Sequence, residues 1–394
     1  MDTIAPAPQA RRRPPRPVLE LVSRTDIRFR HPGYALHSLF LSLPRVDSAA
    51  SIPTHGVHHR TALLACQIIA GNAFTNSYLS LDRAGQQRVQ VPLDGVLTEN
   101  EYYFFVEGVA LYPIVPSFQD WEFPHDRIPD WWHPAVPSPA VNCSITNAGY
   151  AVEEAHLVPR EERLWYRENE MEAYGVGMPD IDNKANILPL RKDIYWAFDA
   201  RWFVIVPRMV TTDSSVPAAP QYVTHIISRA AAELWPAYHL TIAESIQDEC
   251  RAYLFARFAW AILFRVKLFV TAGETRNVIR IVRISGTRSY KTERCSGAEL
   301  ESAYGGGGSK TAAPLKQNPR KRRSAQASDQ GDLSDTSGDS DAAEDWEEEW
   351  GRDRRDRRQA SSDETAPDAM PAQPLSEAKV HREPALEAEL RAAL

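Results

Sequence analysis

One stretch of this chain, residues 143–208, constrains the fold more than any other. Glu154-Ala155-His156-Leu157-Val158-Pro159 brings a histidine to the end of a short strand, which Pro159 stops and turns. A long loop then leads to Asn186-Ile187-Leu188-Pro189-Leu190, an asparagine followed by an apolar patch. Asp193-Ile194-Tyr195-Trp196-Ala197-Phe198-Asp199 spaces its apolar residues as an amphipathic helix does, and Asp193 fits as its N-cap. Asp199 falls at i+4 from Tyr195, on the same helical face. In a regular strand Glu153 shares a side with Ala155, and Glu154 faces the other way.

The chain has 394 residues, enough for two domains or one large one with material left over. Hydrophobic content of 43% supports a core, but residues 309–394 hold little of it. Outside those residues 31 basic side chains stand against 33 acidic ones. So near-neutral a body has no global basic field, and any contact with nucleic acid must come from a local patch. Cys66, Cys143, Cys250 and Cys295 lie far apart with no CxxC pair, which argues against a zinc ribbon and a dense disulfide framework. The N-terminus is rich in Pro and Arg rather than apolar. The longest apolar run, 254–270, is interrupted by Arg257, Arg265 and Lys267, so it reads as a buried helix and not a membrane span. An intracellular protein, nuclear or cytoplasmic and without a membrane partner, is expected.

Four regions are expected in order. Residues 1–17 form a disordered basic arm and 18–140 a mostly-β N-terminal region. Residues 141–304 hold the central unit and C-terminal core helices, and 305–394 a disordered charged tail with a basic cluster at Lys321-Arg322-Arg323. In the N-terminal region Tyr102-Tyr103-Phe104-Phe105-Val106 is the clearest buried strand, while residues 61–70 read equally as strand or helix. The segment 121–132, rich in aromatics and proline, should pack as an irregular rigid join. His55, His58 and His59 invite a metal reading, but no Cys or acidic residue stands at ligand spacing, and solvated loop histidines are expected. His125 with Asp126 is expected to pack or cap. After the central stretch, residues 223–234 have helical spacing, and Thr241-Ile242-Ala243-Glu244 has the form of a capping box opening a long core helix. Arg251, Arg257 and Arg265 on that helix are expected to be solvated or ion-paired. A last strand is expected at 278–284.

The order His156, Asn186, helix resembles the HNH endonuclease motif in the divergent form found in many fungal proteins. Cys143-Ser144-Ile145-Thr146-Asn147 matches the start of that subgroup's hairpin. The resemblance implies an α+β protein with a central ββα-metal unit: a β-hairpin packed on a helix around one divalent ion, Mg²⁺ or Mn²⁺. It implies hydrolysis of phosphodiester bonds in nucleic acid, with DNA favoured over RNA. It implies His156 as general base and Asn186 as the brace of the hairpin loop. Histidine as a residue type titrates near neutral pH and suits that task. The family's third histidine falls on Tyr195, whose phenol is a poor ligand for a hard cation. Asp199 is the expected metal ligand, with Asp182 and Asp193 as further candidates. The alternative is a scaffold that has lost its metal ligand and binds or regulates without catalysis. A third reading is an interaction protein whose charged tail binds other proteins.

Overall fold

Ile27-Arg28-Phe29-Arg30 alternates apolar and basic residues, and in the computed structural model it becomes an inner strand of a four-stranded sheet. The structure describes residues 20–49, 52–133, 142–210, 219–244, 246–284 and 287–305; the expected N-terminal arm and charged tail lie outside them. A short helix α1 (Glu20–Ser23) leads into β1 (Ile27–Arg30), β2 (Leu39–Leu43), β3 (Asp47–Ala49) and β4 (Ile52–His58). Helix α2 (His59–Ile69), β5 (Ser77–Ser80), β6 (Val96–Leu97) and β7 (Glu101–Val106) complete the N-terminal region.

The first sheet has the order β2-β1-β7-β5; β1 runs parallel to β7 and the other pairs are antiparallel. The aromatic strand β7 buries Tyr102 and Phe104 and leaves Tyr103 and Phe105 half-buried, because one face alone meets the core. A second sheet has the order β3-β4-β6. There Gly56 lies so near β6 that a Cβ would fall 1.9 Å from the Leu97 carbonyl oxygen, and no larger residue fits. The ambiguous run at 61–70 is helical, with Ala62, Leu64, Ala65, Cys66, Ile68 and Ile69 all buried. A run buried on every side has no polar face to reveal its period.

The remainder runs β8 (Val152–His156), α3 (Arg163–Glu168), β9 (Ile187–Arg191), α4 (Lys192–Asp199), β10 (Phe203–Val210) and β11 (Ala219–Ile226). It continues with α5 (Trp235–Tyr238), α6 (Cys250–Arg265), α7 (Lys267–Val270), β12 (Arg276–Ile284), β13 (Thr287–Cys295) and α8 (Gly297–Tyr304). Both helices and strands are present, consistent with an α+β protein. Strands pair in antiparallel ribbons, β8 with β9, β10 with β11 and β12 with β13. Helix α6 is the core element, apolar nearly all round, and it packs against α2, β2 and β10. The aromatic segment before β8 joins the two regions: Trp121 stacks on Trp165 with ring centroids 5.6 Å apart, and Trp165 Nε1 donates to the Trp121 carbonyl at 2.8 Å. No helix among the described residues is long and apolar enough to cross a membrane.

Three expectations need correction. Residues 223–234 are not one helix, since β11 runs to Ile226 and a single 3-10 turn follows at Arg229–Ala231. Tyr222 through Ser228 are all buried, so their apolar spacing does not distinguish strand from helix. Thr241-Ile242-Ala243-Glu244 does not cap α6, which begins at Cys250. That segment is extended instead: Ala243 N–H donates to the Tyr222 carbonyl and Glu244 N–H to that of Ser144, both within 2.9 Å. Backbone groups spent on β11 and on the turn at Ser144 are not available to start a helix. Finally, His58 and His59 are buried, not solvated loop residues, because they close β4 and open α2. His58 Nδ1 meets Thr61 Oγ1 at 2.8 Å, and His59 Nδ1 meets the Val91 carbonyl at 2.8 Å.

Candidate active site in the hairpin and its helix

The ribbon β8–β9 and helix α4 follow one another in ββα order, and the ribbon register sets the site. Val152 pairs with Arg191 and His156 with Ile187, which brings the end of β8 against the residue after Asn186. Leu157 N–H donates to the Asn186 carbonyl at 2.8 Å. The Asn186 side chain is fully buried and closes the turn after His156. Its Oδ1 accepts from Val158 N–H at 2.7 Å, and its Nδ2 donates to the carbonyls of Val158 at 3.1 Å and Ile181 at 2.7 Å. Three directional bonds to two loops leave the turn little freedom.

His156 is largely buried, and its Nε2 lies 2.9 Å from Asp182 Oδ1. Two arginines share that carboxylate: Arg160 Nε is 2.7 Å from Oδ1 and Arg163 Nη2 is 3.3 Å from Oδ2. Both arginine side chains are mostly exposed, at 63% and 64%. Hydrogen bonds from His156 and then Arg160 hold the Asp182 carboxyl below its ordinary range. It is therefore an anion at neutral pH.

The other expected site residues stand elsewhere in the same unit. Asp199, at the end of α4, is half-buried with Oδ1 3.4 Å from Arg257 Nη2, and the same nitrogen donates to the Phe198 carbonyl at 2.6 Å. Arg257 also donates to the Leu157 carbonyl at 3.4 Å, so one buried guanidinium ties the residue after His156 to the last turn of α4. Tyr195 is half-buried and packs against the hydrophobic core. Asp193 does not occupy the N-cap position, which falls on Arg191, and it receives two bonds from that arginine at 2.6 and 2.7 Å. Glu153 and Glu154 are both exposed. Arg251 donates to the Trp132 carbonyl at 2.6 Å.

The divalent ion that the resemblance implies can be tested against these donors. His156 Nε2 and Asp182 Oδ1 are close enough to share an ion, but Arg160 Nε lies 2.7 Å from that oxygen and 3.3 Å from that nitrogen. A guanidinium thus stands where a cation would have to be, and Asp199 is engaged by a second one. Two donors and two arginines do not fit a divalent ion in this arrangement. Among the described residues, the group of three or more His, Cys, Asp or Glu ligand atoms within 4.8 Å of one another is Asp47, His225 and His239, none of them between His156 and Asp199. Sequence reading missed that group, as it missed Asp182 in the role of partner to His156.

Residues 141–206 match a family model described as HNH endonuclease. No curated protein and no solved structure matches the chain.

Proposed function

We propose that this unit is an HNH-type phosphodiester hydrolase acting on nucleic acid, DNA being the substrate the resemblance favours, with His156 as general base. The observation that carries the reading is the 2.9 Å contact between His156 Nε2 and Asp182 Oδ1. Arg160 has one hydrogen on Nε, and the carboxylate at 2.7 Å is a closer acceptor than the ring at 3.3 Å. His156 Nε2 therefore directs its own proton to Asp182, which leaves Nδ1 as the basic nitrogen. A carboxylate on the far nitrogen also stabilises the imidazolium formed when water gives up its proton. Asn186 fixes the turn in which the ring is held. Arg160 and Arg163 offer guanidinium forks, which match phosphate oxygens in shape and stabilise the charge that develops on them. Asp199 would serve as a ligand to Mg²⁺ or Mn²⁺ only after release from Arg257.

The ion pairs of Asp182 with Arg160 and of Asp199 with Arg257 favour a second reading, in which the unit binds nucleic acid without cutting it. Supercoiled plasmid incubated with the full chain in Mg²⁺, Mn²⁺ or chelator separates the two. Hydrolysis predicts nicked product and a loss of at least ~100-fold in His156→Ala. Salt-dependent binding with no nicking in any ion supports the second reading. Cleavage by His156→Ala at the wild-type rate would remove the base from the first.

A further inference from the structure

Asp47 ends the loop from β2, His225 lies in β11, and His239 follows α5, yet their ligand atoms come within 4.8 Å of one another. His239 Nε2 is 3.2 Å from Asp47 Oδ1, and His225 Nδ1 is 3.8 Å from Asp47 Oδ2. The two imidazole rings are 5.2 Å apart and tilted by 61°, so they do not stack. A second observation points the same way. His225 is 1% exposed, and neither of its ring nitrogens has a hydrogen-bond partner. A fully buried imidazole with both nitrogens unmet is an unfavourable choice for a core position unless something else occupies one of them.

We propose that Asp47, His225 and His239 form a binding site for a divalent transition-metal ion of the zinc type, which staples β3, β11 and the segment after α5 together. Ligand bonds of about 2.0–2.2 Å in a tetrahedral arrangement separate neighbouring donor atoms by roughly 3.3–3.5 Å; the 3.2 and 3.8 Å from the two oxygens of Asp47 to His239 and His225 fall on either side of that range. One carboxylate with two imidazoles selects an ion that prefers nitrogen, such as Zn²⁺ or Co²⁺, over Mg²⁺ or Ca²⁺.

The surrounding charges bear on the site directly. Arg208 Nη1 donates to Asp47 Oδ1 at 2.9 Å, and His58 N–H donates to Oδ2 at 2.8 Å. A carboxylate has about four lone-pair positions, so these two bonds leave two directed elsewhere, and outer hydrogen bonds of this kind orient ligating carboxylates. The Arg208 guanidinium against Oδ1 gives this buried carboxylate a fixed counter-charge. His58, whose Nε2 is 3.7 Å from Asp94, is occupied by Thr61 and stands outside the ligand set. His239 accepts at Nδ1 from Ile226 N–H at 3.4 Å; that long bond must yield for Nε2 to present its lone pair to the ion.

The test uses the full chain, stripped with chelator and titrated with Zn²⁺ by calorimetry and with Co²⁺ by visible absorption. One equivalent should bind, and His225→Leu or His239→Gln should weaken it at least tenfold while His156→Ala does not. Without metal, His225→Leu should melt no lower than wild type, since it removes two unmet nitrogens. Zn²⁺ at a hundredfold excess over Kd should raise the wild-type Tm by about 5 °C or more and leave His225→Leu unmoved. If wild type binds no Zn²⁺ or Co²⁺, or if both substitutions weaken binding less than tenfold, the site is refuted. Because His156→Ala is carried alongside, the result is independent of whether the chain cuts nucleic acid.

Discussion

His156 and Asp182 are 26 residues apart in sequence and meet at 2.9 Å, with the histidine largely buried and the aspartate reaching in from a half-exposed turn. The pairing sets which nitrogen of the ring is protonated. Asp182→Asn preserves shape but can present an amide N–H to the ring, which would turn the imidazole into the other tautomer. If the chain hydrolyses nucleic acid, that substitution should lower kcat by roughly 10²–10⁴-fold with little change in KM. Steady-state cleavage of a short duplex measures both. An equal loss in KM and none in kcat would assign Asp182 to binding instead.

Asn186 offers a test of the scaffold that needs no activity. Asn186→Ala removes three hydrogen bonds and leaves Val158 N–H and the carbonyls of Val158 and Ile181 to find other partners. The expected loss is about 3 kcal/mol, read from urea denaturation. Asn186→Asp should be at least as damaging, because a carboxylate accepts from Val158 N–H but cannot donate to either carbonyl. A loss under 1 kcal/mol in both would show that the turn does not depend on this side chain.

These residues also show what local sequence carries and what it does not. His156, Asn186 and the helix after Ile187 lie within one short stretch, and their pairing follows from strand, turn and helix signals read in order. Asp182 was weighed as a ligand and not as the partner of His156, because the 25 residues between them fold as 3-10 turns, bends and the short helix α3, with no period to register the two. Asp47 and His239 are 192 residues apart, and nothing in either segment signals the other. Helix α2 and the C-terminal half of strand β11 were obscured for another reason: each is buried nearly throughout, so hydrophobicity alone has little periodicity to show. His58 and His59 looked like loop residues because their polar neighbours mask a strand-to-helix junction.

Arg257 should prove as important to stability as any apolar core residue. It is 1% exposed, lies 3.8 Å from the Phe198 ring centroid and 4.4 Å from that of Trp260, and bonds the carbonyls of Leu157 and Phe198. Arg257→Ala leaves those carbonyls and the Asp199 carboxylate without this cation and opens a cavity beside two aromatic rings. A loss of about 3–5 kcal/mol is expected. Arg257→Lys should recover only part of it, since a point charge cannot serve Leu157, Phe198 and Asp199 together as a planar fork does. Chemical denaturation of the pair decides it: full recovery in the lysine variant would reduce the role of Arg257 to charge alone.

The response to acid follows chiefly from four buried groups with opposed signs, and His59, whose pKa burial also lowers, adds to the histidine side. Burial lowers the pKa of His31 to about 4, of His58 to about 2 and of His225 to about 3, each against an ordinary 6.5. Between pH 6.5 and 4 the unfolded chain binds three protons that the folded chain refuses, so these groups make stability fall as pH falls through that window. Burial acts oppositely on Glu162, raising its carboxyl from 4.5 to about 7 despite hydrogen bonds from Trp260 and Gln119. There the folded state holds the extra proton, and between pH 4.5 and 7 Glu162 alone makes stability rise as pH falls. From pH 6.5 to 4.5 three protons oppose one. The net uptake of about two on unfolding corresponds to a slope approaching roughly 2.7 kcal/mol per pH unit. With chelator present to keep His225 free of metal, urea midpoints measured across this range should drop steadily on acidification. His31→Phe, which removes one of the three histidines, should flatten the curve by about one proton's slope. A flat or rising profile from pH 6.5 to 4.5 would mean that the buried imidazoles are protonated in the folded chain.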